Sequence, residues 1–558
     1  MSSSQHQQQL DFDYSNEPST PSSEAFIEDS LPEVDFDYDE TDDHEAYSDT
    51  QNTLTLELDE HGNPKRTASI FSCVINLLNT VAGAGMLGLP SAFASSGYLV
   101  GTCLLLFAAF FSALGLHLLS VSATTAQQRL PTNKPASFYT VAITAMPQFA
   151  IFIDIAVALK CFGVATGYFV TVADCMVDAF HYVFRNFSQM TETTAEEIEE
   201  MVFTNRQFWV VCALVCVLPI SFFQTLDSLK FTSTLSLILI YSLAVGVILY
   251  AQGVFDACES HGGNTHYYHD GLVDDGIEQV CRGSTAIITD FDDTVKNLAI
   301  FVFSFTCHQN VFTITNELRS PTRRRVDSVI GIAISAALVL YMIVAIEGYR
   351  TYGSEVKGDI LLNYPQTGLV TTMRIGIAIM VILSYPLQLD PSRRCLTSLV
   401  YALIGRRAQR RREQEQQETS HTSDASQSSS RTTDEMERLA EPETEMDASS
   451  LWMDPASAID VDDNMVDFID GFIFNGITIV FLVLSFIIAM SVSDLGIILG
   501  VVGATGSTMV SYILPGLIYV TLHPEPHFLR SLARLQLGLG IIIVPTALYF
   551  VLFKGASG

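Results

Sequence analysis

The segment Asn76–Pro90 lies inside the first apolar run that is long enough to cross a membrane, and its composition interrupts a helix. Gly83, Gly85 and Gly88 permit backbone conformations that other residues resist, and Pro90 removes a backbone donor. Because an unpaired peptide group is costly in hydrocarbon, a broken helix is tolerated only where it lines a cavity inside the protein. Its free N–H and C=O groups can then hold a small zwitterion or an ion. The alternative is close packing of two helices at small residues.

Apolar runs of this length recur along the chain, whose 558 residues are 49% hydrophobic. Runs of about 18 residues or more predict about eleven transmembrane helices and therefore an all-α polytopic membrane protein. The predicted spans are 69–90, 96–122, 148–182, 206–224, 230–253, 294–318, 327–348, 370–391, 468–490, 493–520 and 532–553.

Two polar stretches supply most of the net charge of −32. Residues 1–66 form an acidic tail that has no Lys or Arg before Lys65, so the basic start of a signal peptide is not expected. Both this tail and the low-complexity insert 405–467 are predicted to be disordered and cytosolic, because they bury too little apolar surface to fold alone. Residues 67–404 then hold spans 1–8, and 468–558 hold spans 9–11. Solvated tails are one interpretation, and docking sites for regulatory proteins are the other.

The basic residues of the short loops fall on one side of the membrane when the spans are threaded from a cytosolic N-terminus, which places the C-terminus in the lumen. The acidic loops 183–205 and 254–290 fall on the other side. In the first of these loops, Asn186 begins a glycosylation sequon. In the second, Cys258 and Cys281 bracket a polar stretch where a disulfide can persist; two free thiols are the alternative.

Span 6 carries a polar patch at mid-depth, Phe303–Asn310, five spans after the interruption in span 1. Interrupted segments at equivalent positions in two halves are the sequence sign of an inverted-repeat transporter site. Spans 1–5 and 6–10 would be the halves, with span 11 as an addition. The residues that we expect to contact a solute are Ala82, Gly83, Ala84, Gly85, Met86, Phe303, Ser304, Phe305 and His308, together with Lys160 of span 3.

The candidate residues differ in the chemistry that they offer. N–H groups at the start of the helix that follows Gly83 would face a carboxylate. His308 is predicted to respond to a pH difference, since an unperturbed imidazole titrates near pH 6.5; a neutral histidine bonded to a neighbouring helix is the alternative. Lys160 would neutralise an acidic group of the solute or form a structural ion pair. Phe303 and Phe305 would gate the site or pack beside it.

Oxygen atoms of spans 1 and 8 are candidates for a hard cation. Asn79 supplies an amide carbonyl, and Ser384 supplies a hydroxyl beside Pro386. Together they predict a possible Na⁺ site, and hydrogen bonding between helices is the alternative for Asn79. Apart from a coupling ion, H⁺ or Na⁺, no cofactor is expected.

Enzyme signatures are not found in the sequence. It contains no P-loop, no G-x-S-x-G elbow, no H-E-x-x-H motif and no Cys/His spacing for a metal. We therefore predict that the protein is not an enzyme and does not bind nucleic acid. Its expected partners are a small solute and the lipid bilayer.

Four motifs, in order and spacing, resemble the amino acid/auxin permease family. Asn76–Pro90 is similar to the opening signature of that family. Phe303–His308, followed by Glu317-Leu318, resembles the Phe-x-Phe-x-Cys-His … Glu-Leu motif of its solute carrier 38 branch. Ile346–Gly353 and Ser384–Arg393 match as well.

The segment Lys160–Gly163 is similar to the fungal vacuolar amino-acid transporters of that branch. The resemblance covers about 67–404 and 468–553. It implies a LeuT-type fold of two inverted five-helix halves plus an eleventh helix, with the substrate between helices 1, 3, 6 and 8. It places the amino acid backbone at the Gly83–Gly85 break and Na⁺-associated positions at Asn79 and Ser384.

We therefore expect a secondary active amino-acid transporter, coupled to H⁺ or Na⁺, in a vacuolar or lysosomal-type membrane; the plasma membrane is the alternative location. The alternative function is an amino-acid sensor, in which the same pocket reports its occupancy through the cytosolic tails. Relatives often have Thr where Ser384 stands, and an apolar residue or His where Asp390 stands.

Overall fold

The computed structural model describes residues 68–83, 85–129, 136–191, 202–222, 229–258, 281–427, 463–492 and 494–551. The acidic tail 1–66 and the candidate Ala84 lie outside these ranges. Nine helices of the described part are long and apolar enough to cross a membrane, and two further apolar helices are shorter. The prediction of an all-helical polytopic membrane protein is thus confirmed.

The helices, in chain order, are α1 (Ile70–Val81), α2 (Gly85–Arg129), α3 (Phe138–Ala145), α4 (Ala150–Thr191), α5 (Arg206–Ser221), α6 (Leu229–Ala251), α7 (Phe291–Ser304), α8 (Val311–Glu317), α9 (Arg323–Tyr352), α10 (Gly368–Gln427), α11 (Asp463–Ser491), α12 (Leu495–Val502), α13 (Leu514–Leu522) and α14 (Phe528–Tyr549). Helix α4 packs most extensively on α10, and α2 packs on α9. These pairs place spans 3 and 8 and spans 2 and 7 side by side around the centre of the protein.

Span 1 is interrupted where the sequence predicts. Helix α1 ends at Val81, and α2 begins at Gly85. The second half of span 1 then continues into span 2 through a kink at Gly97, which has φ 76°. A Cβ atom at Gly97 would lie 2.6 Å from the carbonyl oxygen of Ile287, so only glycine fits this bend.

Span 6 is also interrupted, because α7 ends at Ser304 and α8 begins at Val311. Span 10 holds a third irregularity, which the sequence analysis missed. Two π-helical stretches, Gly503–Ser507 and Met509–Ile513, separate α12 from α13. π-Helical turns are rare and are often found at functional sites.

One helix extends beyond its predicted end. Helix α10 runs to Gln427, so the first part of the insert 405–467 is helical rather than disordered. Arg, Gln and Glu dominate residues 406–418, and these residues are good helix formers that can continue a helix emerging from the membrane. The part of the insert between 428 and 462 lies outside the described residues.

The predicted disulfide between Cys258 and Cys281 is present, with 5.9 Å between the two Cα atoms. The backbone N–H of Gly283 donates to the carbonyl oxygen of Tyr352, at 2.8 Å. The disulfide therefore lies on the same side of the protein as the loop that follows α9. Asn186 is exposed near the end of α4, and its glycosylation stays a prediction.

Replacement of Gly506 with alanine is expected to destabilise the protein. A Cβ atom at this position would lie 2.8 Å from Cα of Lys160, so α4 and the π-helical segment must move apart. We expect a loss of about 1–3 kcal/mol, which thermal unfolding of the purified protein would detect. Gly538→Ala is the control, since a Cβ atom at Gly538 meets nothing within 4 Å. Equal unfolding temperatures of the two variants would contradict this close packing.

Candidate solute site between two interrupted helices

The interruption of span 1 begins with a tightening of the last turn of α1. The N–H of Ala82 donates to Leu78 O at 2.7 Å, and the N–H of Gly83 donates to Val81 O at 2.8 Å. The N–H of Met86 then donates to Gly83 O at 3.2 Å as α2 starts. Ala82 and Met86 are fully buried. Carbonyl groups near the end of α1 are left to find partners outside their own helix.

The interruption of span 6 lies beside that of span 1. The hydroxyl of Tyr341, on α9, lies 2.5 Å from Val81 O and 2.9 Å from Ser304 O. The side chain of Asn310 donates to Thr80 Oγ1 at 2.8 Å. The two broken segments therefore face each other inside the protein, as the sequence predicts. A hydroxyl group has one proton, so Tyr341 can donate to only one of the two carbonyl oxygens at a time.

Gly83 and Gly85 serve different purposes. A Cβ atom at Gly85 would lie 3.0 Å from the Phe303 ring, so this glycine allows close packing, which was the alternative interpretation. A Cβ atom at Gly83 would lie 3.4 Å from the hydroxyl of Tyr168, on α4. Gly83 therefore exposes backbone toward a polar group. Phe305 is buried in edge contact with Tyr341, with 5.1 Å between ring centroids.

Lys160 is buried, with an exposed fraction of 2%, and has no carboxylate within ion-pair distance among the described residues. Its Nζ donates to Gln388 Oε1 at 3.3 Å. The side chain of Gln309 donates to the same oxygen at 3.5 Å. The structural ion pair considered for Lys160 is thus not found, and amides of spans 6 and 8 surround it instead.

Tyr168, Gln309 and Gln388 were missed by the sequence analysis. Gln309 follows His308 directly, and Gln388 lies between Pro386 and Pro391, so both stand in segments that had already been singled out. An intramembrane glutamine is itself a signal, since its amide requires partners. Tyr168 gave no such signal, because aromatic residues are common in membrane spans.

His308 lies against Gly115 of α2. It is fully buried, and neither ring nitrogen has a hydrogen-bond partner among the described residues. Its Nε2, Ser511 O and Gln536 Nε2 lie 2.6, 2.6 and 2.8 Å from the point where Gly115 would carry a Cβ atom. The 3₁₀ turn His308–Asn310 therefore turns the imidazole toward span 2, the π-helical part of span 10 and span 11. The hydrogen bond to a neighbouring helix, which was the alternative for His308, is not found by geometry among the described residues.

Asn79 and Ser384 form hydrogen bonds with other residues. Nδ2 of Asn79 donates to Ser233 Oγ at 3.3 Å, and the hydroxyl of Ser384 donates to Met380 Sδ at 3.7 Å. Oδ1 of Asn79 is buried and has no hydrogen-bond partner in the part of the chain that the structure describes, which suits a hard cation, but one oxygen atom is far from a full ligand set. The possible Na⁺ site at these two residues stays a prediction.

A helical membrane protein with two broken spans around a buried polar centre has the architecture of a secondary transporter. The comparison with family models identifies the family. The chain belongs to the transmembrane amino acid transporter protein family, whose model matches residues 66–554. This family places it among amino acid transporters.

The relatives include vacuolar transporters from fungi. Vacuolar amino acid transporter 5 of Schizosaccharomyces pombe is 33% identical over 453 residues, which cover 81% of this chain and 84% of the relative. Vacuolar amino acid transporter 6 of Saccharomyces cerevisiae is 30% identical over 450 residues, 81% of this chain and 89% of the relative. These relatives are transporters rather than enzymes, which confirms that prediction.

Solved structures similar to this chain include MhsT in complex with L-phenylalanine. It is 11% identical, covers 86% of this chain and 99% of its own, and has a TM-score of 0.41. A Na⁺-coupled sialic acid symporter is 11% identical, covers 88% of this chain and 91% of its own, and has a TM-score of 0.40.

Replacement of Tyr341 with phenylalanine is expected to lower both stability and transport. Two buried carbonyl oxygens lose their shared donor, at a cost of about 1–3 kcal/mol. Thermal unfolding and amino acid uptake would measure the two effects. Tyr385→Phe is the control, because this buried hydroxyl bonds Ser485 Oγ at 2.8 Å, between α10 and α11. If Tyr341→Phe transports as well as Tyr385→Phe does, the hydroxyl has no role at the site.

Proposed function

We propose that the protein is a secondary active transporter that moves amino acids across a vacuolar or lysosomal-type membrane, coupled to H⁺ or Na⁺. The observation that carries the proposal is the meeting of the two broken segments at Tyr341. The vacuolar relatives support the proposal that the protein lies in a vacuolar-type membrane. The charge of the loops supports a cytosolic N-terminus, and the disulfide Cys258–Cys281 is consistent with a luminal loop.

The backbone of the amino acid would bind at the break of span 1. The N–H groups at the start of α2 suit its carboxylate, because the N-terminus of a helix carries partial positive charge. Its ammonium group suits carbonyl oxygens. Val81 O also accepts from the N–H of Gly83, so Ser304 O is the oxygen left to accept from the substrate when Tyr341 donates to Val81 O.

Alternating access would then open the site to each side of the membrane in turn. Span 1 and span 6 are each cut at mid-depth, so each half can tilt without breaking a continuous helix. The coupling ion must bind one state more tightly than the other, or it cannot shift their equilibrium. His308 is the candidate for a proton site, since its two ring nitrogens are buried and have no hydrogen-bond partner among the described residues.

The side chain of the substrate would meet Lys160. A buried ammonium group without a carboxylate partner favours a solute that brings a negative charge or a strong hydrogen-bond acceptor. The amides of Gln388 and Gln309 suit the same groups. We therefore propose acidic and amide-bearing amino acids as the preferred substrates.

An amino-acid sensor is the second candidate, and one contact favours it. Ala68, two residues after the acidic tail, exchanges backbone hydrogen bonds with the end of α8: Ala68 N donates to Glu317 O and Arg319 N donates to Ala68 O, both at 2.9 Å. A movement at the break of span 6 would therefore displace the start of the acidic tail, and regulatory proteins bound to the tail could respond to it.

Uptake into proteoliposomes distinguishes the two functions. A panel of labelled amino acids would be tested under an imposed pH gradient and, separately, an imposed Na⁺ gradient. A transporter should show saturable uptake that one gradient drives, whereas a sensor should bind amino acid with negligible flux. His308→Ala in the same vesicles, with His523→Ala as the control, should abolish substrate-driven proton movement if H⁺ is the coupling ion.

Replacement of Lys160 with alanine is expected to change substrate preference. The ratio of kcat/KM for Glu to that for Leu should fall about tenfold or more, because a charged hydrogen bond to the substrate is worth roughly 1.5–3 kcal/mol. Competition between labelled Glu and Leu would measure it. Lys296→Ala, a half-buried lysine of α7, serves as the control. A preserved Glu-to-Leu ratio in Lys160→Ala would reject acidic side chains as its ligands.

A further inference from the structure

The loop 353–367, between α9 and α10, is folded into the helix bundle. It contains two 3₁₀ turns, Gly353–Glu355 and Ile360–Leu362. A Cβ atom at Gly358 would lie 3.6 Å from Cα of Gly496, at the start of α12, and one at Gly88 would lie 3.5 Å from Gly358 O. The loop therefore packs against the second half of span 1 and against span 10, on the side of the protein that carries the disulfide.

Asp359 is the buried acid of this loop, with an exposed fraction of 2%. Its Oδ1 accepts from the N–H of Leu361 at 2.8 Å and so caps the second 3₁₀ turn. Its Oδ2 is buried with no hydrogen-bond partner among the described residues. The cap explains one oxygen atom only. Burial of the other costs less free energy when the carboxyl group is protonated, because a neutral group loses less hydration than a charged one.

No ion pair to Asp359 is found among the described residues. Nη2 of Arg374, on α10, pairs with Asp178 of α4 at 3.0 Å and also donates to Leu361 O and Tyr364 O, while its Nε and Nη1 are buried without a hydrogen-bond partner in the described part of the chain. Arg206 of α5 pairs with Asp174 of α4 at 2.9 Å. Further titratable and charged groups lie around the loop. They are Asp174, Cys175 and Asp178 of α4, Arg206 of α5, Tyr250 of α6, Arg282 beside the disulfide, Glu347 and Tyr352 of α9, Arg374 of α10, Asp494 before α12, and Glu355, Lys357 and Tyr364 of the loop itself.

Burial raises the pKa of Asp359 from its ordinary value of 3.8 to about 7. The charges of Asp174 and Asp178 act in the same direction, while the N–H of Leu361 and the charge of Arg374 oppose it. Asp494 differs, because it is exposed while its Oδ1 caps α12 by accepting from the N–H of Gly496 at 2.7 Å. Two capping aspartates on the same side therefore differ in burial.

We propose that Asp359 is a proton-binding site that holds the loop 353–367 closed, so that acid in the compartment facing this loop seals the transporter on that side. In the orientation proposed above, that compartment is the lumen. The effect on transport rests on the proposed function, whereas the pH-dependent closure of the loop 353–367 does not depend on it.

The direction of the pH effect follows from the two states of the loop. Closed, Asp359 has a pKa of about 7; when the loop opens and water reaches the carboxyl, its pKa returns toward 3.8. The closed loop therefore binds the proton more tightly. Closure is favoured increasingly as pH falls below about 7, by at most about tenfold per pH unit, and this advantage is lost as pH rises through about 7.

The proton at Asp359 is not the transported one. It enters when the loop closes and leaves on the same side when the loop opens, so it crosses no membrane. Replacing Asp359 should therefore alter how the rate depends on luminal pH without changing the number of protons that move with each amino acid.

Asp359→Asn in the full-length protein tests the proposal. The amide keeps an acceptor for the N–H of Leu361 but cannot ionise, so the loop should stay closed at every pH. Hydrogen exchange of residues 353–367, corrected for intrinsic rates, would be measured at about pH 6 and 8, on either side of the value near 7. The unchanged protein should lose protection at the higher pH, Asp359→Asn should not, and the control Asp494→Asn should behave like the unchanged protein.

Uptake in vesicles provides the second measurement, with the pH varied only on the side of the disulfide. The rate of Asp359→Asn should be nearly independent of that pH. If Asp359→Asn keeps the pH dependence of the unchanged protein, or if its loop is unprotected at both pH values, the proposal is overturned. Hydrogen exchange does not require transport. The exchange measurement would therefore still test the closure of the loop if the protein proved not to be a transporter.

Discussion

The hydroxyl of Tyr341 joins the two broken segments on which the rest of the structure depends. Inside a membrane, each carbonyl freed by an interrupted helix must find a donor, and here Val81 O and Ser304 O compete for a single proton. The arrangement is held together by the protein and still leaves one acceptor for a solute. A complete set of internal partners would bury the backbone groups and leave nothing for an amino acid to bind.

Other buried polar groups also lack a full set of hydrogen-bond or ion-pair partners. Lys160 has amide neighbours but no carboxylate, His308 has no hydrogen-bond partner, and Asp359 has one oxygen atom bonded and the other not, all within the described part of the chain. Polar groups buried at such cost are rarely left incomplete for structural reasons alone. Lys160 faces the proposed solute, and His308 lies among spans 2, 10 and 11. Asp359 belongs to the loop 353–367, which is proposed to close one side of the protein.

Two segments outside the membrane spans contact the broken spans directly. The loop 353–367 touches the helix that follows the first break, while Ala68 is bonded to the chain that follows the second. Each broken span therefore has an external segment attached to one of its halves. This makes both segments suited to sense or bias the movements that alternating access requires.

The sequence alone determined the helical membrane fold, the positions of the two breaks and the disulfide pair. These depend on local chemistry: apolar length, glycine and proline within a span, and paired cysteines in one polar loop. Tertiary structure alone decided that His308 lies against Gly115 of span 2, that Asn79 and Ser384 bond to other residues, and that span 10 is π-helical near Lys160. Periodicity cannot specify how a helix is rotated once a break interrupts it, because the rotation is fixed by packing between distant segments.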